Sequence, residues 1–229
     1  MPRDVGAIVV AAGQGSRIGG VPKQYRLLGG VPLVLRALRP FTAHRDVAHV
    51  VLVLPPADAA APPPFLSDLA GPGLTLVAGG AERADSVAAG LAALMPACTI
   101  VLVHDAARPF VEAGVIDAVI QEARAGVGAV AAVPLSDTVK EVGAGDRRVL
   151  RTVPRDHLWR AQTPQGFPRS LLAEAHERAR GDGVRATDDA ALVERLGATV
   201  RVVPDSPSNL KITTPDDFAW AEAWVAARA

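Results

Sequence analysis

Short apolar runs rich in valine and isoleucine alternate along the chain with segments whose apolar residues recur at helical spacing. Val5 to Ala12, Val47 to Leu54, Leu74 to Ala78, Thr99 to Val103, Val127 to Val133 and Thr199 to Val203 have the length and β-branched content of buried strands. Between them, residues 32–41, Glu82 to Met95, Glu112 to Ala125 and Arg169 to Arg180 read as helices, and the proline-rich 55–64 leads into a shorter one. Thr187-Asp188-Asp189 caps a further helix that ends before Gly197, and Thr214-Pro215 opens a terminal one. Near-continuous apolar strands that alternate with helices predict an α/β fold, a mainly parallel sheet with helices on both faces. Ligands of such sheets bind beyond the carboxyl ends of the strands, so the loops after strands are where chemistry is expected.

Two stretches break the rhythm. Residues 137–155 place short strand-like runs on either side of Gly143-Ala144-Gly145-Asp146, which is hairpin chemistry. A lone two-stranded arm covers Val139, Val142, Val149, Leu150 and Val153 poorly, so the pattern predicts that it packs on a second copy of the chain and forms a homodimer. Arg155 to Gln165 is dense in polar and aromatic groups and lacks periodicity, which leaves a functional loop or an ordered return to the sheet. The whole chain, 1–229, reads as one domain with 137–155 as its arm.

Composition narrows the classes. Lys+Arg and Asp+Glu balance at 24 each, so no global field draws the chain to nucleic acid or to an anionic membrane, and any anion site must be local. Cys98 is the single cysteine and rules out a disulfide framework, which suits a reducing, cytoplasmic setting and a small core residue. The first residues, MPRDVGAIVVAAG, show no signal-peptide pattern, and no apolar run has membrane-spanning length.

The densest chemistry follows the first strand, in AIVVAAGQGSRIGGVPKQY (7–25). Small residues at a strand end let backbone N–H groups approach an anion, and Arg17 and Lys23 add full positive charge, the kit for a polyphosphate. Ile18 stands where the dinucleotide fingerprint needs glycine, and no P-loop can be drawn through Gly13 to Lys23. The plain alternative is a glycine-rich turn with both cations solvated. Gly79-Gly80-Ala81 enters a helix where backbone can meet a flat ring, with the Ser86 hydroxyl in reach of a base or ribose; otherwise Asp85 and Ser86 simply cap that helix. After the fourth strand, Asp105 is placed to help hold a divalent cation or polar substrate and Arg108 to fork a phosphate, unless the two form a loop salt bridge. His104 reads as structural, and Lys211 stands unexplained among short apolar neighbours.

Taken in register, AAGxGxR with PKQY, GGAERADSV, HDAARPF, SDTVK, TVPR with LWRAQTPQ, ATDD and NLKITTPDD resemble the 2-C-methyl-D-erythritol 4-phosphate cytidylyltransferase family over nearly the whole chain. The resemblance implies a Rossmann-like domain with a protruding dimerisation arm, and transfer of CMP from CTP to methylerythritol phosphate with Mg2+ as cofactor. It implies the CTP triphosphate on Ala11, Ala12, Gly13, Gly15, Arg17 and Lys23, and cytidine near Gly80, Ala81 and Ser86. Methylerythritol phosphate would meet Asp105, Arg108, Thr138, Thr187 and Lys211, with Arg155 and Thr163 reaching across from a partner subunit. Arg17, Lys23, Lys211 and Asp105 would carry catalysis, and Asp105 would be the metal's protein ligand. A cytidylyltransferase for another polyol phosphate, such as ribitol 5-phosphate, shares this scaffold. A catalytically silent nucleotide-binding subunit is opposed by the full set of Arg17, Lys23, Asp105 and Lys211.

Overall fold

The computed structural model describes residues 3–13 and 21–228. In chain order these form β1 (Val5–Val10), a 3-10 turn (Lys23–Tyr25), β2 (Leu27–Leu28), β3 (Val31–Pro32), α1 (Leu33–Thr42), β4 (Val47–Leu54), α2 (Pro56–Ala60) and α3 (Pro64–Ser67). Then come β5 (Leu74–Ala78), α4 (Arg83–Ala93), β6 (Ile100–Asp105), α5 (Ala113–Arg124), β7 (Gly128–Pro134), β8 (Val139–Val142) and β9 (Val149–Val153). The chain closes with β10 (Trp159–Pro168), α6 (Arg169–Gly181), α7 (Asp189–Arg195), β11 (Val200–Pro204) and α8 (Pro215–Ala226).

The central sheet has the order β11-β7-β10-β6-β1-β4-β5. All neighbours pair in parallel except β10, which runs antiparallel between β6 and β7. The aperiodic stretch before Gln165 is therefore a return to the sheet, and its polar and aromatic content follows from an exposed first half, residues 159–161. The β10–β7 ladder skips from Ala161 to Gln165, a bulge that turns Gln162 and Thr163 out of regular pairing.

Period-two alternation assigns the two faces. Val5, Ala7, Val9, Val50, Leu52 and Leu54 pack with Val34, Phe41, Ile116 and Ile120 of α1 and α5. Ile8, Val51, Val53, Val101 and Val103 pack on the other face with Val87 and Leu91 of α4 and Leu172 and Ala175 of α6. Each valine, leucine, isoleucine or phenylalanine side chain among them contributes about 1.5–3 kcal/mol when removed from water. Cys98 is buried, as expected of a small core residue.

Topology then fixes where a ligand can enter. From β1 the chain adds β4 and β5 on one side, then crosses to lay β6 on the other, which makes the β1/β6 boundary a switch point. In that register Val10 lies beside Asp105. Strand β6 runs two residues beyond the expected end at Val103, so His104 and Asp105 belong to the strand and are held by its ladder. The arm forms a sheet of its own, β8 against β9, with Val142, Val149 and Leu150 left 49%, 54% and 54% exposed.

Candidate active site

Two adjoining clefts open at the switch point. The larger, about 610 Å3, is walled by Ala11, Ala12 and Gly13 after β1, Lys23 and Gln24, Gly79 to Arg83 after β5, Ser86, and Asp105 and Lys211. The smaller, about 240 Å3, is walled by Asp105, Arg108, Thr163, Thr187 and Lys211, among others. Arg83, Asp105 and Lys211 belong to both and form the wall where the two meet. A cavity of about 760 Å3 lies elsewhere, between α1 and the starts of β4 and β5. Of the loops beyond the carboxyl ends of the strands it meets only Pro109, and it takes in none of the expected site residues.

Glycine shapes the larger cleft by what it lacks. A Cβ on Gly79 would lie 2.5 Å from Ala12 Cβ, and one on Gly80 would lie 2.3 Å from Asp85 Cβ. Only bare backbone lets this turn close onto α4 and leave room above it. The turn is locked by Ser86, whose Oγ accepts the Gly80 N–H at 3.2 Å and donates to the Glu82 carbonyl at 3.2 Å. Asp85 accepts the Glu82 N–H at 3.0 Å. Ser86 is thus in the cleft wall, with its hydroxyl bonded within the loop. Asp85 takes the capping role foreseen for it.

The shared wall is an ion network. Lys211 Nζ meets Asp105 Oδ2 at 2.8 Å, and Arg83 Nε meets Asp105 Oδ1 at 3.3 Å. Burial alone would raise the Asp105 carboxyl, yet Arg83 and Lys211 hold it well below the usual carboxylate range, so it is anionic. Lys211 is brought there by its neighbours: the Ile212 N–H bonds Ala107 O at 2.8 Å, and Lys23 Nζ bonds Ile212 O at 2.8 Å. The Asp105–Arg108 salt bridge allowed by the sequence does not form. Arg108 donates instead to the Asn209 carbonyl at 2.7 Å and keeps its place in the smaller cleft.

Behind the wall sits His104. Its Nε2 bonds the Arg108 carbonyl at 2.9 Å, and a carbonyl only accepts, so Nε2 carries the proton. Its Nδ1 then accepts from Thr163 Oγ1 at 3.0 Å, while Thr163 Oγ1 accepts the Asp105 N–H at 3.1 Å. Burial pushes the His104 pKa down to about 4, consistent with a neutral ring. His104 is structural, as its surroundings in sequence suggested. Thr163, for which the resemblance implied a reach across to a partner subunit, lines the smaller cleft of this chain, with its hydroxyl bonded to His104 Nδ1 and to the Asp105 N–H.

The other expected residues divide three ways. Ala11, Ala12, Gly13, Lys23, Gly80 and Ala81 line the larger cleft, and Asp105, Arg108, Thr187 and Lys211 the smaller one. Gly15 and Arg17 lie outside the described residues. Thr138 and Arg155 are exposed at the base of the arm, and neither lines a cleft; Arg155 donates to the Ser136 carbonyl. Arg83 was not foreseen. A cation as the first residue of a helix opposes the helix dipole, and that local mismatch was the signal to follow. Among the described residues, no group of three or more His, Cys, Asp or Glu side chains could hold a metal ion by itself.

The model of the family described as 2-C-methyl-D-erythritol 4-phosphate cytidylyltransferase matches residues 5–227. The chain is 47% identical over 227 residues to the 2-C-methyl-D-erythritol 4-phosphate cytidylyltransferase of Pelotomaculum thermopropionicum, with 98% of this chain and 95% of that protein covered. The crystal structure of the Thermus thermophilus enzyme of that name is similar at a TM-score of 0.79 and 39% identity, covering 97% of this chain and 98% of that one. The 4-diphosphocytidyl-2C-methyl-D-erythritol synthase of Anaerococcus prevotii is similar at a TM-score of 0.84 and 29% identity, covering 97% and 96%.

Proposed function

The chain belongs to the 2-C-methyl-D-erythritol 4-phosphate cytidylyltransferase family, and on that premise we propose how its two clefts divide the substrates. The enzyme transfers the cytidylyl group of CTP to 2-C-methyl-D-erythritol 4-phosphate and releases pyrophosphate, in isoprenoid biosynthesis. CTP takes the larger cleft, with its triphosphate over Ala11 to Gly13, Gly15, Arg17 and Lys23 and its cytidine against Gly80 and Ala81. The acceptor takes the smaller cleft, among Asp105, Arg108, Thr187 and Lys211. The observation that carries this reading is the shared wall: only there can an acceptor phosphate in one cleft reach a nucleotide phosphorus in the other.

The chemistry asks for little beyond positioning and positive charge. An acceptor phosphate oxygen attacks the α-phosphorus, the bond to the bridging oxygen breaks, and pyrophosphate leaves. A phosphate monoester has a second pKa of about 6 and is mostly dianionic at neutral pH, so no general base is needed. Two anions must be brought together while negative charge builds on the leaving group. Lys211 offsets that charge between the substrates, and Lys23 and Arg17 offset it along the triphosphate. Mg2+ often binds through one or two carboxylates plus substrate phosphates and water. Asp105 is the carboxylate of the shared wall, but both its oxygens are paired with Lys211 and Arg83, so the ion would rest mainly on the CTP phosphates. When bound, the ion would neutralise part of the triphosphate charge.

The arm completes the reading. Residues 1–229 act as one catalytic domain, and 137–155 as the arm that joins two copies into a homodimer. Its exposed Val142, Val149 and Leu150 and its isolated two-stranded sheet support this. A second copy would then supply Thr138 and Arg155 to the acceptor cleft. No helix among the described residues is long and apolar enough to cross a membrane.

Pyrophosphate release from CTP with Mg2+, run in parallel with methylerythritol phosphate and ribitol 5-phosphate, tests the assignment. Release with the first acceptor alone is expected. Release with ribitol 5-phosphate alone would keep the chemistry and overturn the acceptor.

A further inference from the structure

Behind the shared wall lies a carboxylate that the reaction as described does not use. Asp189 is the first residue of α7 and is only 1% exposed. Capping this helix is the work of its neighbour: Asp188 Oδ1 accepts the Ala191 N–H at 3.0 Å. The side chain of Asp189 turns inward. Its Oδ2 holds Arg83 Nη1 at 2.7 Å, and its Oδ1 holds His176 Nε2 at 2.9 Å, with His176 itself buried. Its backbone is pinned too, since Gln165 Oε1 accepts the N–H groups of Asp189 and Ala190 at 3.1 and 3.0 Å.

Burying an ionised carboxylate is costly, and well-packed apolar residues often serve stability equally well. That cost needs a reason, and Arg83 supplies it. That guanidinium spans Asp189 through Nη1 and Asp105 through Nε, and it lines both clefts. Neither contact uses Nη2, and no other hydrogen bond or ion pair of Arg83 is present among the described residues. The planar fork is thereby held at two of its corners with the third left for a ligand. A lysine, being a point charge, could not bridge both carboxylates in this way.

We propose that Asp189 is a positioning residue for cytidylyl transfer: anchored by His176 and Gln165, it fixes the Arg83 guanidinium in the wall between the clefts, so that Arg83 orients Asp105 and offers its remaining edge to the reacting phosphates. Asp189 touches neither substrate. Its effect passes through Arg83. This rests on the two-cleft reading above.

The test is a double-mutant cycle of Asp189→Asn and Arg83→Gln, with kcat from pyrophosphate release, both KM values and thermal midpoints measured for each protein. Asp189→Asn keeps the shape and removes the charge. It is expected to lower kcat about tenfold to a hundredfold, the scale of one hydrogen bond to a charged group. In the Arg83→Gln background the same change should lower kcat less than twofold further, because the residue it acts through is gone. A purely structural role would lower the thermal midpoint and give losses that multiply across the cycle, and that result overturns the proposal. Wild-type kcat in Asp189→Asn overturns it as well and leaves the two-cleft reading intact. A wild-type enzyme with no turnover overturns both. Should Asp189→Asn not fold, Arg83→Lys decides: a loss within a few-fold of Arg83→Gln supports the bridging role, and wild-type kcat overturns it.

Discussion

The switch point and the arm are built on opposite principles. At the switch point, buried polar groups and the more exposed Lys211 and Arg83 sit in an interlocked set. Lys211 and Arg83 hold Asp105, Asp189 holds Arg83, and Thr163 and His104 hold the Asp105 backbone, all within one chain. In the arm, four residues of β8 face five of β9 with little beneath them. The ion pair between Arg151 and Glu141 is exposed and adds at most about 1 kcal/mol. The first region is preorganised before any ligand arrives. The second, on the dimer proposed above, would gain its cover from another copy. The contrast teaches that one side chain can be costly to lose through chemistry alone, and another through assembly alone.

Lys211→Ala should break the switch point hardest. By analogy with loss of one preorganised donor, turnover is expected to fall about a hundredfold to a thousandfold, while sedimentation still reports the wild-type assembly. Near-wild-type turnover would remove Lys211 from the shared wall's chemistry.

Acid should separate the two regions next. His104 has a folded pKa of about 4, below the ordinary 6.5, so between these values the unfolded chain binds a proton that the folded one refuses. Stability therefore falls as pH drops from about 6.5 to about 4, by on the order of 3 kcal/mol from this residue. Burial would raise the Asp105 carboxyl, but Arg83 and Lys211 depress it, so its own contribution is present above the ordinary carboxylate pKa and is lost on further acidification. Denaturant titrations of wild type and His104→Gln across that window should diverge by this amount, and parallel curves would contradict the neutral-ring assignment.

The arm should respond through assembly. Leu150→Asp places charge on its exposed apolar surface. Sedimentation should show dissociation to monomers, and turnover should fall about tenfold with loss of the partner's Thr138 and Arg155, the scale of a hydrogen bond to a charged group. A dimer that survives this substitution would argue against the arm as its interface.

Much of this was legible in the sequence because it is periodic or local. The β5 bounds, Leu74–Ala78, follow from the apolar run and the glycines beyond it. Pro215 with Thr214 starts α8 as expected, the Asp217 N–H bonding Thr214 Oγ1 at 3.1 Å. The antiparallel course of β10 was not legible, since its exposed half carries Trp159 and Arg160 and its buried half holds a bulge, which together erase period two. Motif reading singled out Lys23, Asp105 and Lys211, which line the clefts, but did not anticipate the intrachain bonds of the Thr163 and Ser86 hydroxyls. Short-range spacing does not reveal which backbone group a hydroxyl will meet. Arg83 and Asp189 pair across 106 positions, and no local pattern encodes such a partnership.

The central claim is that the two clefts hold different substrates and meet at Asp105, Lys211 and Arg83. Its most direct test is the pair Ser86→Ala and Thr187→Ala, with KM measured separately for CTP and for methylerythritol phosphate. Loss of the Ser86 hydroxyl loosens the Gly80 turn and should raise KM for CTP about threefold to tenfold, on the scale of one neutral hydrogen bond, with the acceptor KM unchanged. Thr187→Ala should do the reverse. If both variants raise the same KM, the division of the clefts is wrong.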